Sequence, residues 1–164
     1  MKAALPVALE LIKRWEGCRL EAYPDPATGG DPWTIGWGST GEGISPGVVW
    51  TQDQADERLE RDVSAFMAGV EELLTRKPTP NQLGAMTSLA YNIGLGAFGG
   101  STLLKKFNAG DIAGAAWQFD RWVYAAGKVM QGLVNRRSDE RRAFEKADFS
   151  GVTAIVATTA KVER

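Results

Sequence analysis

Glu16 and Asp25 lie nine residues apart in stretches of different texture, and Thr34 follows within a short apolar run. A carboxyl group at the end of a helix, facing a second carboxylate in an open turn, suits glycosidic bond hydrolysis. One acid protonates the leaving oxygen and the other steers a water molecule. Spacing alone is thin support, because acidic residues are ordinary on surfaces and an aspartate flanked by prolines is an ordinary turn residue. Composition narrows the choice. The chain has no histidine, which excludes His-based nucleophile triads and the common zinc sites. Cys18 is the single cysteine, so neither an intrachain disulfide nor a paired-thiolate metal site is available. Acid–base chemistry therefore falls mainly to carboxylates.

Elements that could hold such residues are readable in order. With 164 residues the chain is long enough for a real core and short enough for one domain. Nineteen basic against twenty acidic residues give a net charge of −1, which argues against bulk attraction to nucleic acid or anionic lipid. The first residues resemble a signal peptide, but Glu10, Lys13 and Arg14 interrupt the apolar run, so no export signal or stable membrane insertion is expected there. Leu5, Leu9, Ile12 and Trp15 form a helical stripe that Gly17 stops, leaving Glu16 at its last turn. From Arg19 to Ser45, short runs broken by glycine and proline predict a small sheet around Tyr23 and Trp33–Trp37. So little apolar content cannot stand alone and must lean on helices.

Thr51 with Gln54 is a capping box, opening a helix from about residue 52 to 74 with Leu59, Val63, Phe66, Val70 and Leu73 on one face. Its charged opposite face reads as simply solvated. Thr79, Pro80 and Gln82 open another helix, which ends near Gly94. Glycines at 96, 99 and 100 loosen the chain before Ser101 caps a short helix, Gly110 stops it, and Asp111 starts the next. Asn135 reads as the cap of a last helix through Arg136, Arg137, Glu140 and Arg141 to Ala147. Residues 148–164 form a Thr/Val/Ala-rich tail that reads as a strand-like or helical appendage against the core, or as partly loose chain. Trp117 and Trp122 are expected in the core, Cys18 as a buried structural thiol, and Arg137 and Arg141 as solvated charge or i,i+4 partners. Trp37 fits either the core or a sugar-stacking face.

Three segments then carry a resemblance. They are Glu16-Gly-Cys-Arg-Leu-Glu-Ala-Tyr-Pro-Asp25 with Trp33-Thr-Ile-Gly-Trp-Gly38; Gln82 through Asn92 to Phe98 with Ser101–Gly110; and Trp122–Lys128 with Gly132-Leu-Val-Asn-Arg-Arg137 and Glu140-Arg141. Together they cover roughly residues 5 to 147, and the chain closely resembles the phage-type lysozymes, the endolysin muramidases of glycoside hydrolase family 24. The resemblance implies an α+β, two-lobed lysozyme-like fold: a small N-terminal antiparallel sheet and a long connecting helix to a helical C-terminal lobe. It implies one catalytic domain over 1–147, with the N-terminal lobe at about 16–50, the connecting helix at about 52–74, the helical lobe at about 79–147, and an extension at 148–164.

It further implies hydrolysis of the β-1,4 bond between N-acetylmuramic acid and N-acetylglucosamine in peptidoglycan, without cofactor or metal. Carried over position by position, Glu16 is the general acid, Asp25 the carboxylate that directs water, and Thr34 the residue that helps place it. Asn92 matches a residue of the substrate cleft, and Arg136 matches an arginine that pairs with the catalytic glutamate. The implied setting is a monomer in the host cytoplasm until release, then at the periplasm and cell wall, with a holin as indirect partner and no nucleic acid. One departure stands out. Eight residues, Pro26 to Trp33, separate Asp25 from Thr34 where the family usually has five, so Asp31 competes for the base role or for a substrate contact. Ser39 stands where the family usually has histidine. Rival readings are a lytic transglycosylase, which can dispense with the second carboxylate, and a wall-binding accessory domain without turnover.

Overall fold

Helix α1 (Ala4–Trp15) buries Ala4, Ala8, Leu11 and Ile12, while Leu5 and Leu9 are only half-buried. The buried stripe is thus set slightly round the helix from the leucine-rich line, because its small alanines admit a close neighbour. That neighbour is α3 (Pro80–Ile93), on which Leu83 to Ala90 are all buried. At their crossing, a Cβ on Gly84 would fall 2.5 Å from Val7 Cγ1 and 3.0 Å from the Ala4 carbonyl oxygen. The glycine is therefore what lets the two backbones approach. The computed structural model describes residues 2–147; the tail read from the sequence at 148–164 lies outside the described residues.

Three short strands follow α1: β1 (Arg19–Tyr23), β2 (Thr34–Gly36) and β3 (Ser39–Thr40), antiparallel in that order. Tyr23 pairs with Thr34 and Thr34 with Thr40, with an irregularity between Arg19 and Tyr23. The sheet buries Ile35 and leans on the next helix: a Cβ on Gly36, whose φ is +65°, would meet the Trp50 ring at 3.1 Å and Ala55 Cβ at 3.4 Å. That helix, α2 (Gln52–Leu73), starts with the full Thr51–Gln54 capping box and buries Ala55, Leu59, Val63, Met67 and Val70. Its polar face is not simply solvated, contrary to the sequence reading. Asp56 accepts from Trp37 Nε1 at 2.8 Å, and Arg58 and Asp62 reach the sheet. Trp37 is accordingly half-buried, with the Lys13 ammonium 5.4 Å over its ring.

The helical lobe comprises α3, α4 (Leu95–Gly99), α5 (Thr102–Asn108), α6 (Ile112–Gln118), a 3-10 turn (Phe119–Arg121), a hairpin of β4 (Tyr124–Ala125) and β5 (Lys128–Val129), and α7 (Gln131–Glu145). The Thr79–Gln82 box, the Ser101 and Asp111 caps and the stop at Gly94 are all present. Four readings need correction. The glycines at 96 and 99 sit in or at the end of α4 rather than in loose chain. Asn135 is inside α7 and accepts from Gln131 Nε2; the helix begins four residues earlier because the Met130 N–H donates to the Val123 carbonyl, closing the hairpin directly onto the helix. Trp117 is 63% exposed, with the Arg141 guanidinium 3.9 Å over its ring, because Ala115, Ala116 and Phe119 take the core side. Cys18 is only partly buried, its sulfur 3.6 Å from Gln52 Nε2. Trp122 does pack against the core, half-buried.

Gly84→Ala is expected to lower unfolding stability by about 1–3 kcal/mol in urea titrations, since the new methyl must displace Val7. Gly96→Ala, with nothing within 4 Å of the added Cβ, is expected to leave stability unchanged or slightly raised.

Candidate active site

Glu16 ends α1: its N–H still bonds the Ile12 carbonyl at 2.8 Å, but its own backbone is extended (φ −93°, ψ 131°), so the chain turns away here. The helix end is fixed by α7, where Asp139 accepts from both Trp15 Nε1 and Arg14 Nη1 at 3.1 Å. Arg136 Nη1, also from α7, donates to Glu16 Oε1 at 2.8 Å; the arginine side chain is 5% exposed and the glutamate 28%. Glu16 thus has one oxygen held by a buried cation and still reaches solvent. It opens onto a cleft of about 450 Å³ lined by Gly38, Thr40, Arg58, Tyr91 and Asn92 among others. Gly38 has φ +98°, and a Cβ there would stand 3.7 Å from Glu16 Oε2, so a glycine also keeps the space beside this carboxylate clear.

Of the sequence-predicted residues, Glu16 and Asn92 line this cleft and Arg136 touches Glu16 from behind. Asp25, Asp31 and Thr34 do not appear among the described residues lining it. They cluster at the far end of the β1–β2 pair. Thr34 is opposite Tyr23, and its hydroxyl lies 3.4 Å from the Pro32 carbonyl. The loop between Asp25 and Thr34 closes on itself: Asp25 N–H donates to the Gly30 carbonyl at 2.9 Å, and Gly29 N–H to the Asp25 carbonyl at 2.7 Å. Inside it, Asp25 Oδ1 accepts from the Ala27 N–H at 2.9 Å, and the Thr28 hydroxyl donates to the Asp31 carbonyl at 2.8 Å. Asp25 is half-buried at the loop's base, and Asp31 is exposed.

The opposite wall was not read from the sequence. Tyr91 donates its hydroxyl to the Trp37 carbonyl at 3.3 Å and packs edge-on to Phe66, tying α3 to the β2–β3 turn. Burial, then the negative charges of Glu16 and Asp62, push its hydroxyl up to about 12. Arg58 Nε donates to both Asp62 oxygens (2.9 and 3.0 Å) and Nη2 to the Thr40 carbonyl, while the Ser39 hydroxyl donates to Asp62 at 3.2 Å. The i,i+4 spacing of Arg58 and Asp62 was the available signal, but it reads equally as a solvated pair.

Behind Glu16 lies a second cluster. Arg137, expected at the surface, is fully buried beside the equally buried Glu140. Glu140 accepts from the Ser88 hydroxyl at 2.8 Å, Arg136 Nε at 3.3 Å and Arg137 Nη2 at 3.1 Å. Arg137 Nε is also 2.8 Å from Glu140 Oε2, a charge contact whose angle falls short of a hydrogen bond. Burial pushes the Glu140 carboxyl above the ordinary carboxylate range, opposed by Arg137, Arg136 and Ser88, and it lowers the Arg137 guanidinium. Arginine keeps its charge in proteins, so two guanidinium ions facing one carboxyl favour its ionised form at neutral pH. Among the described residues no group of three or more His, Cys, Asp or Glu side chains is arranged to hold a metal ion.

The phage lysozyme family model matches residues 13–140, and the chain belongs to that family. It is 47% identical over 145 residues to the endolysin of Bacillus phage PZA, covering 88% of this chain and 56% of that protein. The chain spans about half the length of the curated Bacillus phage relatives it matches. Among solved structures, the muramidase domain of SpmX from Asticaccaulis excentricus superposes with a TM-score of 0.77 at 34% identity, covering 85% of this chain and 95% of that one. The endolysin from Escherichia coli O157:H7 phage FAHEc1 gives 0.76 at 36% identity, covering 85% and 91%.

The Tyr91 shift has a pH consequence. An ordinary tyrosine ionises near 10.0, so between there and about 12 the unfolded chain releases a proton that the fold retains. This contribution to stability is intact below about pH 10 and is lost as pH rises toward 12. Denaturant titrations across that range are expected to show the loss, and Tyr91→Phe to flatten it. The same variant should cost about 1 kcal/mol at pH 7 through the missing hydrogen bond.

Proposed function

We propose that this chain is an endolysin-type muramidase that hydrolyses the β-1,4 bond between N-acetylmuramic acid and N-acetylglucosamine in bacterial peptidoglycan. The observation that carries the reading is Glu16 on the wall of an open cleft, one oxygen held by buried Arg136 and the other facing the space beside Gly38. Family membership and the likeness to the SpmX muramidase domain support it.

In this reading Glu16 protonates the glycosidic oxygen as the bond to the anomeric carbon breaks. Asp25 takes the proton of a water attacking from the opposite face, which inverts the configuration and requires room for that water between the two carboxyls. Thr34 helps to position the water, Asn92 contacts the glycan along the cleft, and Arg136 orients Glu16. Asp25 is preferred over Asp31 as the base because it sits half-buried at the base of the closed loop, whereas Asp31 is exposed beyond it; Asp31 is left a substrate contact. Action as a monomer, release by a holin, and passage from host cytoplasm to periplasm and wall belong to the same proposal and rest on family likeness alone. Among the described residues no helix is long and apolar enough to cross a membrane.

The test is mass-resolved digestion of purified peptidoglycan by the parent and by folded Glu16→Gln, Asp25→Asn and Asp31→Asn variants. Hydrated reducing ends are expected from the parent, with rates about 10²–10⁴-fold lower for the first two variants and within a few-fold of the parent for Asp31→Asn. An inactive Asp31→Asn beside an active Asp25→Asn would reassign the base. Anhydro-ended products would make the protein a lytic transglycosylase, and binding without cleavage an accessory domain.

A further inference from the structure

We propose that Glu140, sealed inside the helical lobe, is a positioning residue for Glu16 that acts through Arg136, holding this guanidinium between two carboxylates so that the cleft carboxyl does not carry the cation alone. The inference rests on the proposed role of Glu16 as the proton donor.

The geometry is that of a two-ended bridge. Arg136 Nε faces Glu140 Oε1 at 3.3 Å, and Nη1 faces Glu16 Oε1 at 2.8 Å. Its third nitrogen, Nη2, is buried with no hydrogen-bond partner among the described residues, so among these the two carboxylates fix the guanidinium plane by hydrogen bonds. A planar fork held at both ends cannot swing, whereas one held only by Glu16 can. Glu140 is anchored in turn by Ser88 on α3 and by Arg137, which also donates to the Trp122 carbonyl at 3.3 Å. Glu140 does not line the cleft and cannot touch a substrate there.

Charge makes the same point. Arg136 brings one positive charge against Glu16, and behind it the Glu140 carboxylate faces both Arg136 and Arg137. The other charged or titratable groups around this region are the Tyr91 hydroxyl on α3, the Arg58–Asp62 pair on α2, and Asp139 on α7 with Arg14 and Arg142. Neutralising Glu140 leaves the buried Arg136 cation with Glu16 as its one hydrogen-bonded carboxylate among the described residues. That favours the ionised form of Glu16, and a general acid that has lost its proton cannot donate it. Removing Arg137 instead leaves Glu140 to neutralise Arg136 more fully, which works in the opposite direction.

The experiment uses the full chain with Glu140→Gln, Glu140→Asp and Arg137→Met, each checked for folding by circular dichroism. The first readout is the ¹³C titration of the Glu16 carboxyl, assigned by its loss in Glu16→Gln; the second is the pH–rate profile for glycan cleavage. In Glu140→Gln the titration midpoint and the alkaline limb of the profile should both move down by about one pH unit. At neutral pH kcat should fall about tenfold, with KM within twofold. Glu140→Asp should restore most of the midpoint, and Arg137→Met should raise it. An unchanged midpoint in a folded Glu140→Gln protein, or equal shifts in Glu140→Gln and Glu140→Asp, would overturn the proposal. Should Glu140→Gln not fold, Arg137→Met decides the matter by the sign of its shift. If the parent cleaves no glycan, the functional reading fails, while the carboxyl titration still decides this one.

Discussion

Arg136 crosses from the buried interior of the helical lobe to the wall of the cleft, and much of the molecule is arranged so that it can. A guanidinium held this far from water is costly unless charge of the opposite sign offsets the hydration it loses. Glu140 meets it from within α7 and Glu16 from the end of α1. The contact therefore depends on α1, α3 and α7 keeping their mutual spacing. Gly84 sets the approach of α1 to α3, Ser88 one turn on anchors Glu140, and Asp139 clamps the end of α1 through Trp15 and Arg14. Removing one member of such a cluster strands the others, which costs more than the contact itself contributes.

The sheet is positioned by a different device. It is too small to hold itself together, so α2 supports it on two sides of the cleft turn: Asp56 takes Trp37, while Arg58 and Asp62 take Thr40 and Ser39. Tyr91 joins the same turn to α3 from across the cleft. The turn carrying Gly38 is thus held from both lobes, and that glycine leaves the space immediately beside Glu16 free of a side chain. The loop after Asp25 stays clear of this turn, because it closes on itself through hydrogen bonds between Asp25, Gly29 and Gly30 beyond the Tyr23–Thr34 pair.

What was legible in the sequence was local. The Thr51–Gln54 and Thr79–Gln82 boxes and the helix stop that releases Glu16 depend on neighbours within a few residues and are present as read. The stripe on α2 is present with Ala55 and Met67 buried and Phe66 and Leu73 only half-buried. Glu16, Asn92 and Arg136 could be singled out because family motifs surround them. Burial set by distant segments was not legible. Arg137 and Glu140 look like any solvated i,i+3 pair until Ser88 covers them, and Trp117 looks like core until Ala115 and Ala116 claim that side of α6. Asn135 has the chemistry of a cap, yet the hairpin before it, turned at Ala126 and Gly127 without a strong turn signature, starts the helix earlier. Tyr91 sits next to Asn92 and went unread because a tyrosine on a buried helix resembles packing.

The central claim is that the cleft beside Glu16 receives the glycan strand at the bond to be cut. The most direct measurement is a crystal structure of the Glu16→Gln variant with a tetrasaccharide of alternating N-acetylglucosamine and N-acetylmuramic acid. The expected result is a glycosidic oxygen within hydrogen-bond distance of the side chain at position 16, with Asp25 on the opposite face of the sugar and the two side-chain termini about 6.5–9.5 Å apart. A sugar chain seated away from position 16, with the cleft between Gly38 and Tyr91 empty, would contradict it.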